Sequence, residues 1–301
     1  MSENISIAKK IYRRILRITP MKPALYLIYF RGYKKFLNLK NPKYFGEKIQ
    51  WLKLYGELEV LSPYVDKYKV RDYIKRVIGE EYLNELYGVY NSPEEIDFNN
   101  LPNRFVIKCT NGSGTVIVCD DKNNFNIEKS VHQMKLWLKD QYHTEKKELQ
   151  YKNIENRIIV EKYLEDTSGS LTDYKFYCFD GKVKYYAVFY DRFTNKSIDV
   201  YSVEKGKLKN VKVCDIKNSN DLKVDKKSID KMISFSEQLS KKFSFVRVDF
   251  YCIDGHPIFG ELTFTDGAGS DPWAPLEFDI EIANQIELKK ILKEEIETRE
   301  S

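Results

Sequence analysis

The sequence lacks any apolar stretch long enough to cross a membrane. Its longest unbroken apolar run, Ala24–Phe30, has seven residues, whereas a membrane-spanning helix needs about 20. No cleavable signal pattern precedes this run. We therefore expect a cytoplasmic protein.

Cysteine and histidine are also scarce. The five cysteines are an odd number, are widely spaced and form no Cys-x-x-Cys pair, which argues against both a disulfide framework and a zinc site. The three histidines have no Ser/His/Asp or metal-ligand setting, so we expect them at the surface or in turns. These residues are Cys109, Cys119, Cys178, Cys214, Cys252, His132, His143 and His256.

The remaining composition is typical of a folded α+β protein. The chain has 301 residues, of which 42 % are hydrophobic and 14 % aromatic, with a mean hydropathy of −0.52. These values predict a globular protein of two or three lobes. Helical spacing dominates the first hundred residues, and strand-like segments dominate afterwards. The predicted helices span residues 47–55, 62–78, 126–142 and 228–242, and the predicted strands span 104–119 with a loop between two strands, 157–164, 173–179, 182–190, 198–203, 245–252 and 256–263.

Positive charge is concentrated at the N-terminus. Residues 1–40 carry a net charge of +9, whereas the rest of the chain carries −4. Apolar residues recur at helical spacing from Ile5 to Ile18, with lysines and arginines on the other face, and Pro20 ends this predicted helix. Two interpretations remain open. The segment contacts an anionic membrane surface or an acidic partner, or it forms a helical hairpin packed on the body with its charged face in solvent.

A glycine-containing loop follows an apolar strand that ends in a lysine. Lys108 precedes Asn111, Gly112, Ser113 and Gly114. Glycines let backbone N–H groups approach an oxyanion closely, and a lysine ammonium adds charge, so the segment can hold phosphate. Neither the P-loop nor the dinucleotide-binding spacing is present. The alternative is a flexible hairpin turn with an exposed lysine.

A predicted hairpin near the C-terminus carries charge on otherwise apolar strands. Strand side chains alternate, so Arg247 and Asp249 share one face, and Glu261 and Thr263 share one face of the next strand. Pairing of the strands brings all four residues together. Two carboxylates beside an open space are suited to Mg²⁺. The alternative is a cross-strand ion pair between Arg247 and Glu261.

Two further segments combine apolar and charged residues. In Val160–Asp166 an apolar strand runs into acids that could bind a nucleoside. In Asp173–Phe176, Lys175 lies two residues beyond an acid and on the same strand face. Each segment alone is more typical of surface charge.

Taken in order, these segments resemble the ATP-grasp superfamily and, within it, the TupA-like (teichuronopeptide-biosynthesis) proteins of bacterial polysaccharide loci. The resemblance spans about residues 41–270, is supported by Phe45–Tyr55 and Val65–Arg71, and leaves residues 1–40 outside. The motifs that carry it are Lys108 with Asn111–Gly114, Val160–Leu164, Asp173–Lys175, Arg247–Asp249 and Gly260–Thr263.

The resemblance implies an α+β ATP-grasp fold, in which two α+β lobes clasp ATP after a helical N-terminal lobe. The implied division of the chain is a basic amphipathic helical extension (1–40), a helical N-terminal lobe (41–100), a small lobe with the glycine-rich loop (101–165) and a large lobe with the metal site (166–301).

The resemblance also implies a nucleotide site. Lysines and the glycine loop would hold the phosphates of ATP, with Lys67 or Lys69 as a further contact. Residues Glu161–Tyr163 would form the hinge that reads adenine, with Glu165 or Asp166 near the ribose. The implied nucleotide-binding residues are Lys69, Lys108, Asn111, Gly112, Ser113, Gly114, Glu161, Lys162, Tyr163, Glu165 and Lys175.

A catalytic and metal-binding group completes the implied site. Asp249 and Glu261 would bind Mg²⁺, and Arg247 would stabilise the charge that develops during transfer. Thr263 stands where the wider superfamily usually has an Asn, a better metal ligand, which leaves the second Mg²⁺ open. The implied catalytic residues are Lys108, Lys175 and Arg247.

The implied activity is ATP-dependent ligation of a carboxylate to an amine through an acyl phosphate. The implied substrates are an amine or amino acid and a uronic acid of a bacterial surface polysaccharide, such as a capsule, or its nucleotide- or lipid-linked precursor. The basic N-terminal segment would then hold the enzyme at the inner face of the cell membrane.

Other functions fit the sequence less well. A nucleotide-sugar glycosyltransferase would need an Asp-x-Asp motif, whereas Asp120 and Asp121 are adjacent. A non-catalytic ATP-binding or scaffold protein is a third possibility, which variants of Asp249 and Glu261 would distinguish. Nucleic-acid binding ranks last because the basic residues are confined to one terminus.

Overall fold

The computed structural model describes residues 7–166, 171–190, 196–214, 216–219 and 225–291. The α-helices are α1 (Ile7–Ile18), α2 (Met21–Tyr33), α3 (Phe45–Tyr55), α4 (Ser62–Val65), α5 (Val70–Val77), α6 (Ile127–Lys139), α7 (His143–Lys146), α8 (Lys226–Ser240) and α9 (Leu276–Ala283). Short 3₁₀ helices span Leu58–Leu61, Glu80–Tyr82, Pro93–Glu95, Lys122–Asn124, Leu149–Tyr151 and Asp266–Gly269.

The strands form two antiparallel sheets and a short two-stranded pair. The small sheet has the order β1-β4-β2-β3, the large sheet has the order β11-β10-β5-β6-β7-β8, and β9 pairs with β12. The strands are β1 (Leu86–Tyr90), β2 (Phe105–Cys109), β3 (Val116–Cys119), β4 (Ile158–Lys162), β5 (Asp173–Phe179), β6 (Lys182–Tyr190), β7 (Ser197–Ser202), β8 (Gly206–Lys207), β9 (Lys212–Val213), β10 (Phe245–Ile253), β11 (His256–Thr263) and β12 (Trp273–Ala274).

Most predicted elements are confirmed, and the differences include the following two. The predicted helix at 62–78 is interrupted at Asp66, whose Oδ1 accepts hydrogen bonds from the backbone N–H groups of Tyr68 and Lys69 at 2.8 and 3.0 Å. The small sheet also contains β1, which lies within the segment 41–100 that we expected to be helical. The small sheet therefore begins before residue 101.

The large sheet has an apolar core on each face. Val70 of α5 and Met232 of α8 pack with Val246 on one side. Ile49 of α3 and Ile282 of α9 pack on the other side. The early helices therefore share their cores with the large sheet, and their packing fixes the orientation of the polar strand positions between them.

One face of the small sheet packs against helix α6. Phe105, Ile107 and Val160 are buried against Met134 of α6. Because side chains alternate along a strand, Lys108 points to the opposite face. That face carries the charged groups of the small sheet.

The N-terminal helices form a hairpin packed on the body, but Arg13 and Arg17 of the basic face pair with Glu145 and Asp140 of the body, so that face is not simply in solvent as one interpretation expected. Leu16, Leu25 and Ile28 lie in its buried core. No described helix is both long and apolar enough to span a membrane. Four of the cysteines are buried, and Cys214 is partly buried.

Candidate active site

Three neighbouring strands of the large sheet carry charged side chains on one face. Asp249 on β10 is paired with Lys175 on β5 and with Glu261 on β11, and Arg247 is paired with Thr263. Because side chains alternate along each strand, these five residues share a face. The predicted convergence of the two hairpin strands is confirmed, and Lys175 joins it.

Arg247 lies at the centre of this group. Its Nε donates to Asp249 Oδ1 at 2.6 Å, and its Nη2 donates to Asp249 Oδ2 at 2.7 Å. Nη2 also donates to Glu261 Oε1 and to Thr263 Oγ1, both at 3.1 Å, and Nη1 donates to Asp266 Oδ1. Burial alone would lower the pKa of Arg247, but the Asp249 and Asp266 carboxylates raise it well above its usual value. The guanidinium is therefore permanently charged.

Lys175 approaches Asp249 from the neighbouring strand. Its Nζ donates to Asp249 Oδ2 and lies 2.9 Å from Asp173 Oδ2. Burial would lower the pKa of Lys175, but Asp173 and Asp249 raise it. Burial would raise the pKa of Asp249, but Arg247 and Lys175 hold it below its usual value. This buried group is thus a charged network at neutral pH.

Asp266 is a member that the sequence analysis missed. Besides its contact with Arg247, its Oδ2 accepts from the Tyr177 hydroxyl at 3.2 Å. It lies three residues beyond Thr263, and the following Gly267, with φ at 54°, turns the chain back towards the sheet. An Asp-Gly pair directly after a charged strand is the signal that could have found it. The full group, called the large-sheet cluster below, consists of Asp173, Lys175, Arg247, Asp249, Glu261, Thr263 and Asp266.

The large-sheet cluster fits a divalent cation. It contains four carboxyl groups and two cationic side chains, a formal charge of −2. The Glu261 side chain is 40 % exposed, in contrast to the buried Asp249. The described part of the chain contains no group of three or more His, Cys, Asp or Glu arranged to hold a metal. Mg²⁺ usually takes one or two carboxylates and completes its coordination with water and substrate phosphates, and the paired Asp249 and Glu261 offer two carboxylates.

Thr263 is less suited to a second metal. Its hydroxyl donates to Glu261 Oε1 at 3.2 Å and accepts from Arg247. Both roles fix the orientation of Glu261.

A second group of charges lies on the small sheet. Lys108 Nζ donates to Glu161 Oε2 at 2.6 Å, and Arg71 Nη1 donates to Glu161 Oε1 at 3.4 Å. Arg71 also donates to the backbone oxygen of Asn84 at 2.8 Å. We call Arg71, Lys108 and Glu161 the small-sheet cluster. The Glu161 carboxylate positions Lys108.

The glycine loop is anchored at one end and open at the other. Gly112 has φ at +78°, and a Cβ there would lie 2.6 Å from the Tyr142 ring. Asn111 Nδ2 donates to Asn156 Oδ1 at 2.8 Å. By contrast, a Cβ at Gly114 would meet no atom of the described residues within 4 Å, and Ser113 is exposed. The exposed backbone of this half of the loop can receive a ligand.

Lys67 connects the loop to both clusters. Its Nζ donates to the backbone oxygen of Gly112. Burial lowers its pKa, and it interacts electrostatically with Glu261 of the large sheet and Lys108 of the small sheet. Lys67 therefore contacts the glycine loop and is influenced by charges on both sheets. Lys69, the alternative lysine, is exposed.

The remaining predicted nucleotide residues lie at the end of β4. Tyr163 packs under the Arg104 guanidinium, 4.0 Å from the ring centroid. Arg104 Nη2 donates to Glu165 Oε1 at 3.1 Å, and Lys162 Nζ lies 3.4 Å from Glu85 Oε2. These contacts do not test the predicted role of this segment as a hinge that reads adenine, which stays a prediction.

Comparisons with known proteins identify a family. A protein-family model described as TupA-like ATPgrasp matches residues 47–287. The comparison with curated protein sequences found no similar protein.

Solved structures of several ligases are similar at low identity. The L-amino acid ligase from Bacillus licheniformis is 13 % identical, with 68 % of this chain and 44 % of that chain covered and a TM-score of 0.42. The D-alanine–D-alanine ligase from Bacillus anthracis is also 13 % identical, with 79 % and 70 % covered and a TM-score of 0.43. The phosphoribosylamine–glycine ligase from Thermotoga maritima is 15 % identical, with 78 % of this chain and 57 % of that chain covered and a TM-score of 0.41. This chain thus spans between 44 % and 70 % of their lengths.

Proposed function

We propose that this chain, which belongs to the TupA-like ATP-grasp family, is an ADP-forming ligase that joins a carboxylate to an amine. ATP-grasp enzymes use ATP with Mg²⁺. The observation that carries the proposal is the position of Lys67, which contacts the glycine loop and interacts with charges on both sheets. A nucleoside triphosphate bound at Lys67 would lie between the charged face of the small sheet and that of the large sheet.

The small sheet would hold phosphate through cationic and backbone donors. Lys108 is one-quarter exposed while bound to Glu161, so its ammonium can reach a phosphate without losing its partner. The N–H groups of Ser113 and Gly114 lie in the open half of the loop. Together with Lys67, these groups would orient the phosphate chain.

The large sheet would hold the metal and the transferred phosphoryl group. Asp249 and Glu261 would bind Mg²⁺, which would neutralise charge on the phosphates. Arg247 fixes both carboxylates by direct hydrogen bonds. Lys175, held between Asp173 and Asp249, would add a further positive charge. Preorganised charges of this kind stabilise phosphoryl transfer without reorganisation of solvent.

The reaction needs no nucleophilic side chain. A substrate carboxylate oxygen attacks the γ-phosphorus, the bond to the ADP oxygen breaks, and an acyl phosphate forms. The amine nitrogen then attacks the acyl carbon, phosphate leaves with the bonding electron pair, and the nitrogen loses a proton to give the amide. Exclusion of water protects the acyl phosphate from hydrolysis.

The proposed substrates rest on the family resemblance. TupA-like proteins take their name from teichuronopeptide biosynthesis, so the proposed carboxylate is a uronic acid of a bacterial surface polysaccharide or its precursor, and the proposed partner is an amine or amino acid. Lipid-linked precursors would place the enzyme at the inner membrane face. The alternative, a nucleotide-sugar glycosyltransferase, has neither an Asp-x-Asp motif nor the family match in its favour.

Ligand-dependent thermal unfolding tests the proposal. A ligand at 100 times its Kd stabilises a protein by about 2.7 kcal/mol. We expect Mg-ATP to raise the Tm, Mg-UDP-hexoses to leave it unchanged, and Glu261→Gln to reduce the rise. Glu277→Gln, at an exposed acid of α9, is the matched control. Uronic acids and amines are then screened for acceptor-dependent ADP release, and stabilisation by a UDP-hexose alone would contradict the proposal.

A further inference from the structure

Helix α1 carries a row of isoleucines that points away from the body. Ile7, Ile11, Ile15 and Ile18 are 77 %, 55 %, 44 % and 80 % exposed. At 3.6 residues per turn, the four side chains lie within an arc of about 80°. A helix of a globular protein normally buries such a stripe. Here the stripe is the outer surface.

The helix is attached to the body through a different side. Leu16 is buried in the hairpin core. Arg13 Nε lies 2.9 Å from Glu145 Oε1, and Arg17 Nη2 lies 2.8 Å from Asp140 Oδ1. These contacts hold α1 in place without using the isoleucines, so the row remains available to a partner.

Positive charge borders the isoleucine row. Lys10 and Arg14 are exposed and lie beside it on the helix circumference. Residues 7–40 contain ten basic residues and no acidic one. An apolar row flanked by lysine and arginine is the pattern of a helix that lies in the interface of an anionic bilayer.

The C-terminal part of α2 and the residues after it carry two further exposed aromatic side chains, and α2 also packs against the lobe with the large-sheet cluster. Phe30 and Phe36 are 47 % and 86 % exposed, and their ring centroids are 5.8 Å apart. A Cβ at Gly32 would lie 1.7 Å from the backbone oxygen of Ser270, in the segment that follows Asp266. This close approach seats the hairpin firmly against the body.

We propose that the α1–α2 hairpin is a docking surface for an anionic lipid bilayer, with the isoleucine row inserted among the acyl chains and the basic residues at the headgroups. Charge complementarity favours this occupant. A second copy of the chain would bring two strongly basic hairpins together, which like-charge repulsion opposes. The inference adds a surface to the proposed function and does not depend on ligase activity.

Vesicle sedimentation of the full chain tests the proposal. Vesicles of phosphatidylcholine alone are compared with vesicles that also contain phosphatidylglycerol. We expect binding to the anionic vesicles and at least tenfold weaker binding to the neutral ones. Screening predicts a marked loss of binding between 0.1 and 0.5 M NaCl.

Two sets of variants separate the apolar and electrostatic contributions. The quadruple variant Ile7→Gln, Ile11→Gln, Ile15→Gln and Ile18→Gln is expected to bind at least tenfold more weakly. The control is Ile127→Gln with Leu136→Gln, at exposed positions of α6.

The charge variant is Lys10→Gln with Arg14→Gln. Each basic residue near an anionic surface strengthens membrane binding about fivefold, so the double variant is expected to bind anionic vesicles about 25-fold more weakly. Lys227→Gln with Lys241→Gln, at exposed positions near the ends of α8, is the control. Circular dichroism confirms the fold of every variant.

Three results would overturn the proposal. The first is an absence of binding of the wild-type chain to anionic vesicles. The second is unchanged binding of the isoleucine variant. The third is a concentration-dependent dimer in sedimentation equilibrium that the isoleucine variant abolishes, since the row would then be an interface between copies. Nucleotide binding is measured separately, so failure of the docking surface and failure of the ligase proposal are distinguishable.

Discussion

Replacement of Arg247 by Met tests how the large-sheet cluster is held together. The substitution keeps the length of the side chain but removes the cation that contacts Asp249, Glu261 and Asp266. The formal charge of the cluster then changes from −2 to −3, with Lys175 as its remaining cation. Loss of one partner of a buried ion pair costs about 3–5 kcal/mol because the other partner stays buried without compensation.

This magnitude converts to a measurable shift in Tm. The unfolding entropy is about 2.1 cal/mol/K per residue, so for 301 residues the loss corresponds to a decrease of about 5–8 °C. Arg104→Met is the matched control, because that arginine forms an exposed pair with Glu165 and should change the Tm by no more than about 1 °C.

A second substitution tests whether the uncompensated carboxylates cause this loss of stability. Asp266→Asn in the Arg247→Met background removes one of the uncompensated carboxylates and should recover about 1–2 kcal/mol, an interaction energy typical of residues in contact. Calorimetry of the wild-type chain, the two single variants and the double variant gives the interaction energy between Arg247 and Asp266. A decrease below about 2 °C for Arg247→Met, or no recovery in the double variant, would refute the central role of Arg247.

Two further predictions concern a buried lysine and the glycine loop. Burial lowers the pKa of Lys53 from 10.5 to about 7, so between these pH values the unfolded chain binds more protons and the free energy of unfolding rises with pH. For the wild-type chain this rise should be about 3 kcal/mol between pH 7 and 9.5 in urea unfolding, and Lys53→Met should remove it. An unchanged rise in the variant would contradict an origin in Lys53. Gly112→Ala places a Cβ against Tyr142 at a positive φ and should weaken Mg-ATP binding about tenfold in calorimetry. In urea unfolding, Gly114→Ala, at a similar φ but in open space, should lower the free energy of unfolding less than Gly112→Ala, and the reverse order would show that the loop is held differently.

Local patterns were sufficient to predict the charged faces. The two-residue alternation around Arg247 and Asp249 placed their side chains on one face, and the short loop of the following hairpin fixed Glu261 and Thr263 opposite them. The same alternation predicted that Lys175 follows Asp173 on one face. In each case the information lies within a few residues of the site.

Long-range packing was not predictable in the same way. Arg71 reaches Glu161 across 90 positions of sequence, and no local pattern specifies such a contact. Strand β1 is short, contains Gly88 and is only partly buried, so it gives a weak strand signal. The periodicity of α1 revealed an apolar stripe, but periodicity does not determine whether a stripe faces the body or the surroundings.

The central claim is that one Mg-ATP lies between the two clusters. Calorimetric titration of Lys108→Met and Glu261→Gln with ATP, with and without Mg²⁺, tests it most directly, with Lys139→Met at an exposed position of α6 as the control. A charged hydrogen bond contributes about 1.5–3 kcal/mol, so each substitution should weaken Mg-ATP binding by roughly 10- to 150-fold. The loss from Glu261→Gln should appear only when Mg²⁺ is present. Loss of binding in one variant with wild-type affinity in the other would contradict a nucleotide held by both sheets.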